Sequence, residues 1–343
     1  MWEAACRRRQ EAFGRRVTVS SNAFLPVTTA CVNNCAYCGF RVRGDDRPRV
    51  LSPSEARNLI ERAARAGCTE ALFTLGERSD SDPYVRNKLK EWGYNRMVEF
   101  LADLAGRALE SGLLPHTNAG VLVADELETL AKVNAGMGLM LETSSERLGG
   151  PGGPHNGCPG KVPTLRLAHI ATAGRQGIPF TTGILVGIGE TRLEREQTLK
   201  VIADIHARYG HIQEVIVQPF APNEGTPMED VPSPTDEVVL DTLAMARLNL
   251  PPDVSIQIPP NLVSQDLLMR AMAVADDLGG VSPVTPDFIN PDRSWPTLNE
   301  LGVVCDEAGF VLSRRLPVRE QYVTPTHLAP RVLALAQEVS CCG

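Results

Sequence analysis

The sequence predicts a single α/β barrel of the (βα)8 type, with a leading segment over residues 1–21, the barrel over 22–308 and a C-terminal extension over 309–343. Three observations predict it. From residue 22 onward, short β-branched or apolar runs alternate eight times with longer amphipathic runs, and strand followed by helix, repeated, builds a parallel sheet. Helix start and stop residues fall where the alternation puts them. No low-complexity linker divides the 343 residues, and eight such repeats close on themselves.

The leading segment carries Arg7, Arg8, Arg9, Arg15 and Arg16 and reads as a solvated helix. Glu3 and Glu11 argue against an organelle transit peptide, and no apolar stretch there has the form of a secretory signal. Strands are expected over 22–29, 70–75, 113–118, 135–142, 179–186, 212–219, 254–258 and 278–282. Helices are expected near 53–66, 95–111, 124–132, 163–176, 191–208, 235–249, 264–274 and 297–308. Ser52, Pro53 and Glu55 mark one helix start, and Thr191 with Glu194 marks another. Gly67, Gly112, Gly177 and Gly210 each stand just past a helix, where only glycine adopts a positive φ without strain. The extension contains Pro317, Pro325 and Pro330 and is expected to wrap the barrel.

Lys plus Arg number 34 and Asp plus Glu 41, a net charge of -7, which argues against a protein built mainly to grip nucleic acid. Hydrophobic residues at 43% supply a large core and exclude disorder as the main state. No apolar run approaches the roughly 18 residues needed to span a bilayer, so a cytoplasmic protein is expected.

Nine cysteines are present, and three crowd into the loop after the first strand: Cys31, Cys35 and Cys38, in Ala30-Cys31-Val32-Asn33-Asn34-Cys35-Ala36-Tyr37-Cys38. Such crowding points to metal or catalysis rather than disulfides. Three thiolates on one short loop can hold three irons of an iron-sulfur cube and leave the fourth open to a ligand through nitrogen and oxygen. Structural zinc is the competing reading, but it wants four protein ligands, and neither a second CxxC nor a nearby histidine supplies the rest. Buried apolar cysteines are the plainest alternative, opposed by the polar Asn33 and Asn34. Of the scattered cysteines, Cys68 and Cys305 read as small buried hydrophobes and Cys341 and Cys342 as tail residues.

The spacing Cys-x3-Cys-x-aromatic-Cys at the end of a first barrel strand resembles the radical S-adenosylmethionine (SAM) superfamily. That resemblance implies a radical SAM barrel, a 4Fe-4S cluster held by Cys31, Cys35 and Cys38, and S-adenosyl-L-methionine chelated at the open iron and cleaved to a 5′-deoxyadenosyl radical. Later strand ends are similar to the superfamily's cofactor-positioning motifs. Phe73-Thr74-Leu75-Gly76-Glu77 would place Gly76 and Glu77 at the methionine ammonium, and Glu142, ending Met140-Leu141-Glu142-Thr143, would accept the ribose hydroxyls. Gly187, Ile188 and Glu190, in Thr181-Thr182-Gly183-Ile184-Leu185-Val186-Gly187-Ile188-Gly189-Glu190, would serve the adenine, with Tyr37 near it. This run is not a dinucleotide fingerprint, because Arg192 stands where the third glycine belongs. Arg166 would pair with the methionine carboxylate. A salt-bridged barrel rim for Glu142 and an ordinary helix-surface charge for Arg166 remain the alternatives.

Longer stretches resemble the deazaflavin (FO) synthase family, specifically the ring-closing subunit. They include Glu70 through Arg78, Gly138 through Ser145, Gly152-Gly153-Pro154-His155, Gly210 through Gln218 and Gly279 through Asp287, a likeness extending from about residue 22 to 323. Ala119 stands where proline is expected, and Cys38 is followed by Gly39-Phe40; both are departures that bear on substrate placement only. The implied activity is that of a radical SAM lyase. It converts a hydroxybenzyl-ribitylaminouracil adduct to the deazaflavin with loss of ammonia, beside a tyrosine-coupling radical SAM partner subunit and an external electron donor. His116, Asn118, His155, Gln218, Gln257 and Asp277 are the candidate substrate contacts. The alternatives are a related radical enzyme acting on another substrate (tyrosine-uracil coupling, menaquinone-pathway or biotin-synthase-like) and a non-catalytic iron-sulfur or zinc protein.

Overall fold

The structure is a computed structural model describing residues 1–44 and 46–341. Its strands in chain order are β1 (Arg16–Thr28), β2 (Glu70–Leu75), β3 (Leu114–Asn118), β4 (Gly136–Gly138), β5 (Phe180–Val186), β6 (Ile212–Pro219), β7 (Ser255–Gln257), β8 (Asp277–Val281) and β9 (Val311–Arg314). Strands β1 to β8 pair in sequence order, all parallel, and β1 pairs with both β2 and β8, so the sheet closes. β9 lies outside the ring, parallel to Arg16–Val19 of β1.

The helices are α1 (Trp2–Phe13), α2 (Pro53–Arg65), α3 (Pro83–Glu91), α4 (Met97–Glu110), α5 (Ala124–Ala131), α6 (Pro163–Arg175), α7 (Arg192–Tyr209), α8 (Asp236–Asn249), α9 (Gln265–Ala271), α10 (Leu298–Glu307) and α11 (Pro330–Cys341). All eight expected strands and helices are present. The capping boxes at Ser52 and Thr191 form as their spacing dictates. Among the described residues, no helix is long and apolar enough to cross a membrane.

Four features differ from the sequence reading. β1 begins at Arg16 rather than at 22, because the β-branched run Val17-Thr18-Val19 is already paired with β9 and β8. The fourth strand, expected over 135–142, keeps its regular ladder only over Gly136–Gly138 and rejoins β5 at Glu142, which bridges Ile184. α3, β9 and α11 were not anticipated. α1 is anchored rather than solvated: Arg9 is 1% exposed, and its guanidinium donates to the carbonyls of Ala275, Gly14 and Arg16. Cys68 and Cys305 are buried as expected. Cys342 lies outside the described residues, as does the side chain of Cys341.

The extension closes the N-terminal mouth of the barrel. Its apolar residues Val318, Tyr322, Leu328 and Val332 pack on Leu109, Leu114 and Ala135. Behind β9, Arg315 donates to Asp277 and Glu214, and Arg319 donates to Thr18, Ser255 and Glu214. The ring is thereby plugged from below by a buried network of arginines and carboxylates and left open above, where barrel chemistry sits.

Candidate active site

The end of β1 delivers the cysteine loop. Cys31 Sγ accepts from the backbone N–H of Asn33 at 3.4 Å and of Glu77 at 3.3 Å, so the end of β2 helps orient that sulfur. Two arginines back the loop: Arg43 donates to the carbonyls of Cys35 (2.8 Å) and Cys38 (3.1 Å), and Arg41 to that of Cys31 (3.3 Å). Gly76 must be glycine, because a Cβ there would overlap the Ala30 carbonyl and Cys31 Cβ. All three cysteines face one cavity of about 300 Å³ that also takes in Tyr37, Glu77, Glu142 and Arg166.

Burial pushes the Cys31 and Cys38 thiols up. The neighbouring Cys158 thiol draws Cys35 below the ordinary thiol value against its own burial. Cys158, a scattered cysteine in the sequence, is therefore a neighbour of the loop. Among the described residues, no three Cys, His, Asp or Glu side chains come close enough to share one metal ion. A tetrahedral zinc would draw its ligands to about 2.3 Å from a common centre. A cube, which gives each thiolate its own iron, fits three thiols spread around one cavity rather than drawn to one point.

Glu77 is 6% exposed; its Oε2 accepts from Asn33 Nδ2 (3.1 Å) and Arg166 Nη1 (3.2 Å). Arg166 is itself 3% exposed and also donates to Met140 O and Gly160 O, so it is no helix-surface charge. Glu142 holds a positive φ of 65°, rare for a side chain bearing a Cβ, and such strain concentrates at functional positions. Its carboxylate meets Lys161 Nζ at 2.7 Å and Tyr37 Oη at 3.4 Å. Burial would raise Glu142, but Lys161 and Arg166 outweigh it and hold the carboxyl below its ordinary value.

The remaining expected residues divide. Gly187 and Ile188 donate their backbone N–H groups to the Glu190 carboxylate at 2.9 Å each, and Arg195 adds a 3.0 Å bond. Glu190 is thus spent on shaping its own turn, and Ile188 packs with Leu148, Leu185 and Phe220; Gly187, Ile188 and Glu190 do not themselves line the cavity. His116, Asn118, Gln218 and Gln257 line a second cavity of about 150 Å³ within the barrel. His155 instead meets Tyr37 Oη at 2.9 Å outside the lumen. Asp277 is 0% exposed and bound by Arg315 and Thr18 in the floor network, which removes it from substrate contact. Lys161, Asn33, Cys158 and the two loop arginines were missed by sequence reading; the Cys158-Pro159-Gly160-Lys161 turn carries no signal of where it docks.

A family model described as the radical SAM superfamily matches residues 25–202. The chain is 45% identical over 325 residues to the 7,8-didemethyl-8-hydroxy-5-deazariboflavin synthase of Methanosarcina barkeri (strain Fusaro / DSM 804), covering 94% of this chain and 97% of that protein. It is 49% identical over 308 residues to the synthase of the same name from Methanococcoides burtonii, covering 90% and 91%. Among solved structures, methylornithine synthase superposes with a TM-score of 0.68 at 21% identity, covering 91% of this chain and 88% of that one. The FeFe-hydrogenase maturase HydG from Carboxydothermus hydrogenoformans superposes with a TM-score of 0.71 at 20% identity, covering 91% and 71%. These two likenesses show the fold.

Proposed function

Because this chain belongs to the radical SAM superfamily, we propose that it is the ring-closing subunit of a deazaflavin synthase, a lyase acting in the cytoplasm on a hydroxybenzyl-ribitylaminouracil adduct. The observation that carries this reading is the convergence of three thiols, the Glu77–Arg166 pair and the strained Glu142 on one cavity. It is joined by the identity of 45–49% to synthases of that name.

Cys31, Cys35 and Cys38 would hold a 4Fe-4S cluster, with S-adenosyl-L-methionine beside it. When bound, the pair supplies a 5′-deoxyadenosyl radical able to take a hydrogen atom from the substrate. Glu77 and Arg166 present opposite charges to the ammonium and carboxylate of the methionine end. Glu142 and Tyr37 offer acceptor and donor to the ribose, with Lys161 keeping Glu142 ionised. The barrel walls hold the adduct below the cofactor and exclude water, so that the abstracted hydrogen lies near the 5′ carbon. The adduct, having given up that hydrogen atom, would close its central ring, release ammonia and pass its one remaining electron to the oxidised cluster, so that S-adenosyl-L-methionine is the oxidant overall. The adduct comes from a tyrosine-coupling radical SAM partner, and an external donor supplies the electron.

Anaerobically reconstituted protein, given adduct, S-adenosyl-L-methionine and reductant, is expected to form fluorescent deazaflavin with 5′-deoxyadenosine. Replacing any of Cys31, Cys35 and Cys38 by alanine is expected to abolish both. Deoxyadenosine without deazaflavin would overturn the substrate assignment and leave a radical enzyme acting elsewhere.

A further inference from the structure

The barrel lumen divides into two chemically different halves. The upper cavity, under the cysteine loop, has walls of Phe24, Leu72, Leu139, Met140, Leu185 and Phe220. The lower chamber shares Phe24, Leu72, Asn118, Ile216 and Gln218 with it, so the two are continuous. Yet the lower one is lined by side-chain amides: Asn22, Asn118, Gln218 and Gln257. Barrel interiors are ordinarily filled by layers of bulky branched residues. Here a Cβ on Gly138 would overlap the Asn118 amide, one on Gly279 the Gln257 amide and one on Gly280 the Asn22 amide. Glycines in β4 and β8 thus make room for amides at the cost of packed core.

Among the described residues, the oxygens of Asn22 and Asn118 have no protein partner. Asn22 is 3% exposed, and its Oδ1 is unpaired, as are Asn118 Oδ1 and the Trp295 indole Nε1, all three residues lining this chamber. Buried polar groups are nearly always hydrogen-bonded, so several orphans facing one space mark a ligand's place. The charges at the floor are already matched: Arg315 is bound to Asp277 and Glu214. Glu70 lies 4.0 Å from His116 and accepts from Ser20. Among the described residues, the chamber therefore offers unmet neutral donors and acceptors and no free cation.

We propose that this lower chamber is the subsite for the pyrimidinedione and polyol end of the substrate, bound by Asn22, Asn118, Gln218, Gln257 and Trp295, with the hydroxybenzyl end uppermost. The inference rests on the reading above and adds a direction and a selectivity to it. A primary amide sets a donor beside an acceptor, which matches the C=O and N–H edge of a dione in two bonds, and polyol hydroxyls accept and donate in turn. An apolar or anionic group would leave the amides unpaired or meet Glu70 and Glu214. The site thus takes the free ribityl chain and rejects a phosphate ester of it.

The test measures binding of the ribityl deazaflavin product, and separately of its 5′-phosphate ester, to the cluster-reconstituted protein by fluorescence, alongside adduct turnover. The native protein is expected to bind the free product at least tenfold more tightly than the ester. Asn22→Leu and Trp295→Phe are each expected to weaken the free product and raise the adduct KM by about tenfold, the scale of one lost buried hydrogen bond. Trp295→Phe keeps the ring and guards against misfolding. If the native protein makes deazaflavin while both variants bind and turn over normally, or the ester binds as well as the free product, this subsite is wrong and the functional reading stands. If the native protein makes no deazaflavin, the reading itself fails, and the subsite with it.

Discussion

Arg166 Nη1 lies 3.2 Å from Glu77 Oε2, with side chains 4% and 6% exposed, tying α6 to the end of β2 directly behind the cysteine loop. The same guanidinium holds Met140 O and Gly160 O, so one planar fork fixes three chain segments around the cavity.

Removing it should have two measurable effects. Arg166→Met leaves Glu77 charged and buried and is expected to cost about 3 kcal/mol in urea denaturation. It should also weaken S-adenosyl-L-methionine binding at least tenfold by equilibrium dialysis. Arg166→Lys should recover little of either, since a single ammonium cannot span the fork. Native-like stability and affinity in both variants would show that the pair is incidental.

Gly76→Ala tests the contact between strand end and cysteine loop. The added methyl must displace backbone at Ala30, and backbone cannot rotate away as a side chain does. Iron and sulfide after reconstitution should fall to a small fraction of the native content, while the far-UV spectrum stays that of the folded barrel. Full cluster loading would contradict the packing described for this junction.

Glu142→Asn separates strain from function. Asparagine tolerates a positive φ better than glutamate, so it should recover roughly 1 kcal/mol and offset much of the lost Lys161 pair. Stability is expected to stay near native while S-adenosyl-L-methionine affinity drops about tenfold. Parallel loss of both would mean that Glu142 serves only to anchor the rim.

How far the sequence reaches depends on the range of the interactions. The eight strands and helices are readable because capping residues such as Ser52 and β-branched runs such as Ile212 to Val217 act locally. β9 has four residues, half of them exposed, and exists through its pairing with β1, so its own residues hold no sign of it. The cysteine loop is legible because metal geometry demands close spacing in the chain. Lys161 and Cys158 reach that loop only by the tertiary path of residues 143–162, and Asp277 misled because a polar residue on a barrel strand looks the same whether it faces ligand or floor.

That floor can be tested separately. Arg315 carries bonds to Asp277 and Glu214, and its loss leaves two buried carboxylates short of a partner. Arg315→Met is expected to cost about 3–5 kcal/mol by chemical denaturation, the range for breaking a buried pair. A triple variant, Arg315→Met with Asp277→Leu and Glu214→Leu, should regain part of that, since the penalty lies in the orphaned charges. A single variant as stable as the native chain would mean that Arg319 alone satisfies the network.

Two buried histidines away from the cysteine loop are expected to weaken the fold as the pH falls. Burial pushes His169 and His211 down to about 4. The Leu122 N–H lies 3.0 Å from His169 Nδ1, and His211 Nε2 donates to Ile170 O at 3.0 Å while its buried Nδ1 has no partner among the described residues, so a proton added there would be buried unmatched. Unfolded, both titrate near 6.5. Above that pH neither state binds a proton there, and the stabilisation is complete. Below it the unfolded chain takes up as many as two protons that the folded chain refuses, and stability falls by up to about 2.7 kcal/mol per pH unit until the folded groups titrate near 4. Urea midpoints between pH 7 and 5 should therefore drop steeply for the native chain and more shallowly for His169→Gln with His211→Gln. Equal slopes would show that other groups govern the acid limb.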